Sequence, residues 1–359
     1  MQTYINKHIF DITPYKPGKP IEEVKREYKL RQVIKLASNE NSLGPSPKAV
    51  KAMETALNDV NRYPDGDCFY LKTALAKKLK IDVKNLIFGN GSDEILDMVI
   101  KTFLNPRQQE IVTSDVTFLE YKITGQIAGA KVVDVPLRNF KYDLDAIKKA
   151  INKNTKIIFI ANPNNPTGTY VDKAQFDDFL KAIPKEIVVI YDEAYAEFVD
   201  DKDYPHGIDY YKENNLIAVK TFSKAYGLAG LRIGYAIANE VFIDAMNRVR
   251  QPFNVNSLAQ IAASAALKDT EFLSRSRQMV RVGKEFLYKQ FDQMKLDYVP
   301  SVTNFILVSV KEDVFEPLLK LGIIVRPMDM YGLKGAIRVT VGTEEENNKF
   351  INALKRVIK

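Results

Sequence analysis

The sequence predicts an α/β fold in which a mostly parallel central sheet is covered by helices and followed by a smaller α+β C-terminal domain. Three observations lead there. The runs 157–160 (Ile-Ile-Phe-Ile) and 188–190 (Val-Val-Ile) are short, apolar and largely β-branched, as strands buried on both faces are. Stretches long enough for helices alternate with such runs, the pattern of parallel strands joined by helical crossovers. At 359 residues the chain also exceeds what one compact core usually supports, so a second domain is expected.

An N-terminal arm with Pro14, Pro17, Gly18 and Pro20 leads into a short charged helix at 21–28, and residues 1–30 are expected to join the small domain. The loop Asn39-Glu40-Asn41-Ser42-Leu43-Gly44-Pro45-Ser46-Pro47 is dense in turn residues and enters a helix that continues to about residue 58. Helix 69–79, strand 86–88, helix 93–104, strand 109–113, helix 119–128 and strand 131–136 then alternate. Helix 144–151, strand 156–161, helix 173–182 and strand 187–192 continue the pattern, before strand 216–221. These elements read as one layered α/β domain over 31–245. Helices at 238–250 and 257–267 lead into the last third, 246–359. There a helix-rich segment at 271–295, strands at 304–310, 323–326 and 336–340, a helix at 314–321 and a last helix from 344 form the small α+β domain.

Composition narrows the function. Apolar residues make up 46% of the chain, which supplies a large core and carries no disorder signature. The net charge of +7 would suit nucleic acid or an anionic small substrate. The lysines are spread out and interleaved with acids, which reads as solvated helix faces and argues against nucleic acid. The single Cys68 excludes an internal disulfide or a cysteine-based metal cluster and fits a reducing cytoplasm. His8 and His206 stand far apart with no carboxylate pattern around them, so no metal is expected. Residues 1–20 lack the apolar core of a signal peptide, and no run approaches the roughly 20 apolar residues of a membrane span. A soluble cytoplasmic protein is therefore expected.

Four segments carry chemistry. Thr221-Phe222-Ser223-Lys224-Ala225-Tyr226-Gly227 follows a strand, so Lys224 falls at a strand's carboxyl end, where open α/β sheets place ligands. The hydroxyls of Thr221 and Ser223, with Arg232 eight residues beyond Lys224, suit a doubly charged phosphate. A surface lysine in a glycine-rich loop would read the same way. The second segment, Tyr191-Asp192-Glu193-Ala194-Tyr195, ends an apolar strand on an acid, which is costly unless a cation meets it. A protonated ring nitrogen would do so, and strand alternation favours Asp192 over Glu193; the plain alternative is an N-cap acid. The third, Asn162-Pro163-Asn164-Asn165-Pro166-Thr167-Gly168, is a rigid turn able to present the Asn165 amide, which with Tyr195 could hydrogen-bond a phenolic oxygen. In the fourth, Gly89-Asn90-Gly91-Ser92-Asp93-Glu94, a strand meets a helix, and Gly91, Ser92 and Asp93 leave N–H groups free to cradle a phosphate. That segment lacks both the dinucleotide pattern and a Walker lysine.

Together and in this order, the segments resemble the aspartate-aminotransferase superfamily, fold type I of the pyridoxal-phosphate enzymes, over nearly the whole chain. The family's Asn-Pro-x-Gly turn matches residues 165–168, and its strand-end Asp-x-x-Tyr matches Asp192 and Tyr195. Its Ser/Thr-x-x-Lys with a following arginine matches Thr221, Lys224 and Arg232. Asn39-Glu40-Asn41, Gly44-Pro45-Ser46, Arg62-Tyr63-Pro64 and Gly230-Leu231-Arg232-Ile233-Gly234 look more closely like the histidinol-phosphate aminotransferases.

The resemblance implies pyridoxal 5′-phosphate as cofactor, held by Lys224 as a Schiff base. It implies a homodimer with shared active sites, Tyr63 reaching the cofactor phosphate of a second copy. Phe118 would stack on the pyridine ring, where some relatives use tyrosine, and Arg326, Arg338, Asn39 and Tyr15 would bind substrate. The implied activity is a ping-pong amino transfer between histidinol phosphate and 2-oxoglutarate in histidine biosynthesis, with Lys224 moving the proton. The same lysine and aspartate would serve an aromatic amino acid aminotransferase or a decarboxylase of a phosphorylated amino acid, because substrate orientation over the ring decides which bond breaks. A non-catalytic α/β protein binding an anionic ligand is the alternative of another class.

Overall fold

The computed structural model describes residues 4–105 and 107–358. The chain begins with α1 (Ile21–Tyr28), β1 (Ile34–Lys35), α2 (Pro47–Ala56), α3 (Phe69–Leu79), β2 (Leu86–Gly89) and α4 (Gly91–Phe103). It continues through β3 (Glu110–Ser114), α5 (Glu120–Ile127), β4 (Lys131–Val135), α6 (Leu144–Ala150), β5 (Thr155–Ala161), α7 (Lys173–Ala182) and β6 (Val188–Asp192). Next come β7 (Leu216–Thr221), β8 (Gly234–Ile237), α8 (Glu240–Val249), α9 (Ser257–Ala266) and α10 (Thr270–Gln293). The last third adds β9 (Tyr298–Val299), β10 (Phe305–Ser309), α11 (Phe315–Lys320), β11 (Ile323–Ile324), β12 (Arg326–Pro327), β13 (Ala336–Thr340) and α12 (Glu344–Val357).

Local chemistry explains several helix starts. Ser46 caps α2 by accepting the Ala49 N–H, with Pro47 in the first turn where no N–H is missed. Asp172 with Gln175, and Thr343 with Glu346, form reciprocal capping boxes on α7 and α12.

Seven strands form the main sheet in the order β2-β8-β7-β6-β5-β3-β4. From β7 to β4 the neighbours are parallel, whereas β8 runs antiparallel to both β7 and β2. β8 was not expected from the sequence. Its four residues follow a glycine-rich loop and carry little pattern of their own; pairing on both sides, with every residue buried, makes them a strand. A second sheet, β12-β13-β10-β9, is antiparallel, and β1 pairs in parallel with β11. The run 323–326, expected as one strand, divides because Ile323 and Ile324 pair with β1 while Arg326 turns to β13.

Two cores follow from the two sheets. The larger draws on apolar residues from Ala49 to Leu267 and includes Ala259, Ala262, Ala263 and Ala266 of α9. The second is built on Leu36 and on residues from Leu287 to Leu354. Helix α1 buries Val24 against Leu319 and Ile324 at the edge of that second core. Among the described residues no helix is long and apolar enough to cross a membrane.

Phe291 is fully buried in the second core, edge-on to Phe350. Phe291→Ala is expected to lower the unfolding free energy by about 3–5 kcal/mol. Val241→Ala, at an exposed position of α8, is expected to stay within about 0.5 kcal/mol. Urea denaturation followed by circular dichroism measures both.

Candidate active site

The parallel pairing of β5, β6 and β7 sets Ala161, Asp192 and Val219 side by side. The three strands therefore end on one edge, and the loops that leave them line a cavity of about 360 Å³. Asn165 follows β5, Asp192 closes β6, Thr221 closes β7, and Ser223 and Lys224 follow it; all five face that cavity. Ser92, Asp93, Phe118, Tyr195 and Arg232 line it too, as do Tyr15, Asn39, Arg326 and Arg338. Two expected residues stand apart. Gly91 lies just behind the wall against Arg232, and Tyr63 is 82% exposed on the outer surface, stacked on Phe253 at 4.7 Å.

Lys224 is partly buried, and its Nζ donates to the Ser38 carbonyl at 3.2 Å. The amine also lies 5.7 Å from the centre of the Tyr195 ring. Burial, reinforced by the charge of Arg338, lowers its pKa to about 8. A lysine near that value has a substantial neutral fraction at physiological pH, which makes it both a nucleophile and a base.

Asp192 is buried, and burial raises its pKa to about 6. Its Oδ2 accepts from the Tyr121 hydroxyl at 2.7 Å and its Oδ1 from the Ala194 N–H at 3.0 Å, and both bonds favour the ionised form. Tyr121 stands on α5, stacked flat on Phe159 and edge-on to Phe118. Phe118 thus presents an aromatic wall to the cavity that holds the acid.

One end of the cavity is built for a phosphate. The Thr221 hydroxyl donates to Ser223 Oγ at 2.9 Å, and Arg232 pairs with Asp93 at 2.8 Å. Helix α4 begins at Gly91, so its N-terminal N–H groups open toward the same corner. A Cβ on Gly91 would fall 2.4 Å from Arg232 Nη2, and the backbone there has a φ of 81°. Only glycine lets the helix and the guanidinium converge so closely.

The other end is cationic. Arg338 and Arg326 are buried, yet their recorded partners are uncharged. Arg338 donates to Asn165 Oδ1 and, at 2.7 Å, to the Ala37 carbonyl, while among the described residues its Nε has no partner. Arg326 donates to Met330 Sδ and lies 5.4 Å from the Tyr15 ring centre. Asn39 donates to the Tyr195 hydroxyl at 2.9 Å and is held in turn by Thr340 and Asn304. Burying two guanidinium groups without a carboxylate is costly and suits a site that receives an anion.

Sequence reasoning missed Tyr121 and Tyr331, both of which line the cavity. An aromatic residue inside a helix or short turn reads as core, so Tyr331 carried no signal. Tyr121 had one, its place three residues after Phe118 on the same helical approach, but its partner Asp192 is distant in the chain.

The Asp192 carboxyl keeps its proton to about 6 in the folded chain, and an exposed aspartate loses it near 4. More protons are bound when folded, so this group's contribution to stability falls as pH rises from about 4 to 6. Asp192→Asn is expected to raise the melting temperature of the ligand-free protein above pH 6, with the advantage vanishing below about pH 4. Calorimetry across that range reads the effect.

The aminotransferase class I and II family model matches residues 31–354. Histidinol-phosphate aminotransferase of Moorella thermoacetica is 50% identical over 355 residues, covering 98% of this chain and 92% of that protein. The enzyme of the same name from Caldicellulosiruptor saccharolyticus is 50% identical over 351 residues, covering 97% and 98%. The crystal structure of histidinol-phosphate aminotransferase from Sinorhizobium meliloti in complex with pyridoxal-5′-phosphate superposes with a TM-score of 0.91 at 26% identity, covering 100% of this chain and 98% of that one. With its mostly parallel sheet and the strand-end lysine and aspartate, the chain belongs to the class I and II aminotransferase family, among the histidinol-phosphate aminotransferases.

Proposed function

We propose that the chain transfers an amino group between histidinol phosphate and 2-oxoglutarate, yielding imidazole acetol phosphate and glutamate, with pyridoxal 5′-phosphate as cofactor and Lys224 as catalytic residue. The observation that carries this reading is one cavity holding a partly buried lysine amine, a buried carboxylate and two buried arginines without acidic partners among the described residues. The names of the relatives support the substrate, and the bound cofactor of the Sinorhizobium meliloti enzyme supports the cofactor.

The residues present fit that cofactor. The cradle between Gly91 and Arg232, which a Cβ would fill, suits its phosphate together with Ser92, Asp93, Thr221 and Ser223. Asp192 suits the ring nitrogen, Phe118 the ring face, and Tyr195 with Asn165 the phenolic oxygen. The Asn165 Oδ1 already accepts from Arg338, which leaves its amide N–H groups as donors. When bound, pyridoxal phosphate supplies a carbonyl that condenses with amines and a ring that takes up the electron pair left on the substrate's α-carbon.

Lys224 would take the proton from that carbon and return it, as its lowered basicity allows near neutral pH. Asp192, ionised above about pH 6, keeps the ring nitrogen protonated. Arg326 and Arg338, with Asn39 and Tyr15, hold the phosphate or carboxylate end of either substrate. The aromatic surfaces of Tyr15, Phe118 and Tyr331 line the remaining space.

We also propose a homodimer with shared active sites. Tyr63 lies on a surface where Leu57, Val60, Phe69, Tyr70 and Phe253 are all exposed, a patch of the kind that protein interfaces cover. The two cores support a reading as two domains, and the packing of α9 with the larger core favours a division near residues 267–270 over one at 245. The lone Cys68, buried and in no disulfide, agrees with work in the cytoplasm.

A panel of amino donors on cofactor-loaded protein tests the reading: histidinol phosphate is expected to give the highest kcat/KM, above phenylalanine and tyrosine, with no carbon dioxide released. Lys224→Ala is expected to lose at least about a thousandfold in turnover. Covalent attachment of added cofactor to the cofactor-free protein is expected to accelerate as pH rises and to level off above about 8, where the Lys224 amine is neutral; stopped-flow absorbance follows it. Hybrids of Lys224→Ala and Tyr63→Ala chains are expected to regain activity, because one site per hybrid keeps both residues. No recovery on mixing would rule out the shared site.

A further inference from the structure

Both oxygens of the Asp192 carboxylate are engaged, but their partners differ in origin. The Ala194 N–H belongs to the turn that follows β6, whereas the Tyr121 hydroxyl reaches across from α5. Tyr121 is fully buried, and its ring lies on Phe159 of β5 with centroids 4.8 Å apart and planes 2° from parallel. Its edge meets the ring of Phe118 at 5.5 Å and 84°. Clamped this way, the phenol has little left to adjust beyond its O–H, and among the described residues the hydrogen bond recorded for that group is the one to Asp192.

We propose that Tyr121 is a positioning residue for the transfer reaction: its hydroxyl fixes the Asp192 carboxylate for the cofactor's ring nitrogen, and its ring seats Phe118 against the cofactor face. The proposal rests on the cofactor assignment above. One side chain thereby ties the two groups that hold the ring, the acid at its edge and the aromatic wall at its face. Neither bond nor stacking alone would do this, since Phe118 and Asp192 stand on different segments and share Tyr121 as a common neighbour.

Electrostatics give the hydroxyl a second effect. Asp192 is pushed toward protonation first by burial and then by two carboxylates, Asp93 on α4 and its chain neighbour Glu193. Arg232 pairs with Asp93, while Glu193 lies near Lys220 and His206 on the other side of the sheet. Lys224 lines the same cavity, and the buried phenols of Tyr142 and Tyr195 stand beside Tyr121. Against these, the Tyr121 O–H and the Ala194 N–H stabilise the anion. Phenylalanine at 121 would stack equally well and donate nothing.

The test begins on cofactor-free protein, where isotope-edited infrared spectroscopy follows the protonated carboxyl of Asp192, identified by difference from Asp192→Asn. Tyr121→Phe is expected to raise its titration midpoint by about one pH unit. Placing 3-fluorotyrosine at 121, a stronger donor of nearly the same shape, is expected to lower it, which keeps the test open if the phenylalanine variant folds poorly. In the loaded enzyme, Tyr121→Phe is expected to move the acid limb of kcat upward in step and to lower kcat about tenfold at pH 7, with KM for the amino donor changed less than about twofold. In the Asp192→Asn background the same substitution is expected to cost little more. Midpoints unmoved by both replacements would overturn the proposal, as would a Tyr121→Phe loss that persists in full beside Asp192→Asn. Failure of the cofactor assignment looks different: wild-type protein would bind no pyridoxal phosphate while the carboxyl titration still responded to Tyr121.

Discussion

The parallel register of β5, β6 and β7 is the constraint on which the site depends. Strands buried on both faces leave no room for polar side chains along their length, so chemistry collects where they end. Because these strands are neighbours and run the same way, each ends beside the next. Asn165, Asp192 and Lys224 are far apart in the chain and close in space for that reason. Strand β8, running the opposite way, returns the chain from Arg232 under the same edge and pairs Gly234 with Thr221. Shifting β6 by one residue would turn Asp192 to the other face, where Glu193 now meets Lys220.

Much of this was legible before any coordinates. Apolar β-branched runs gave β5 and β6 within a residue of their ends, because burial on both faces leaves an unbroken pattern. Lys224, Asp192, Asn165 and Arg232 were legible as cavity-lining positions because each sits in a loop or strand end, where a charged or amide side chain stands out against the apolar strands beside it. What stayed hidden depends on partners distant in sequence. β8 is a strand only because β7 and β2 flank it, and β1 is two residues long and exists only against β11. The Tyr121 hydroxyl is likewise unreadable without its acceptor 71 positions away, since a tyrosine in an amphipathic helix looks like core.

The charges of the cavity are not balanced within the chain. Lys224, Arg326 and Arg338 face a space where Asp192 is the buried acid, already satisfied by two donors. Arg338 illustrates the cost: burial lowers its own pKa, its charge helps to lower that of Lys224, and its Nε has no partner among the described residues. A fold selected for stability alone would place an acid here. Leaving the cations with carbonyl, amide and thioether partners keeps them available, because an anion arriving in the cavity displaces weak neutral contacts instead of a salt bridge.

That arrangement also joins the two cores. Arg338 stands on β13 of the second sheet, and its hydrogen bond to Asn165 reaches the loop beyond β5 of the first. Asn39 makes a parallel link, bonded to Thr340 on one side and to the Tyr195 hydroxyl on the other. Both links end on residues that line the cavity, beside an apolar cluster in which Tyr195, Phe198 and Ala225 pack with Val280 and Phe305. The guanidinium has five N–H donors and commits two of them to Asn165 and Ala37, so it can receive an anion while the tie between the cores stays in place. The tie between the cores and the anion-receiving end of the cavity therefore share one side chain.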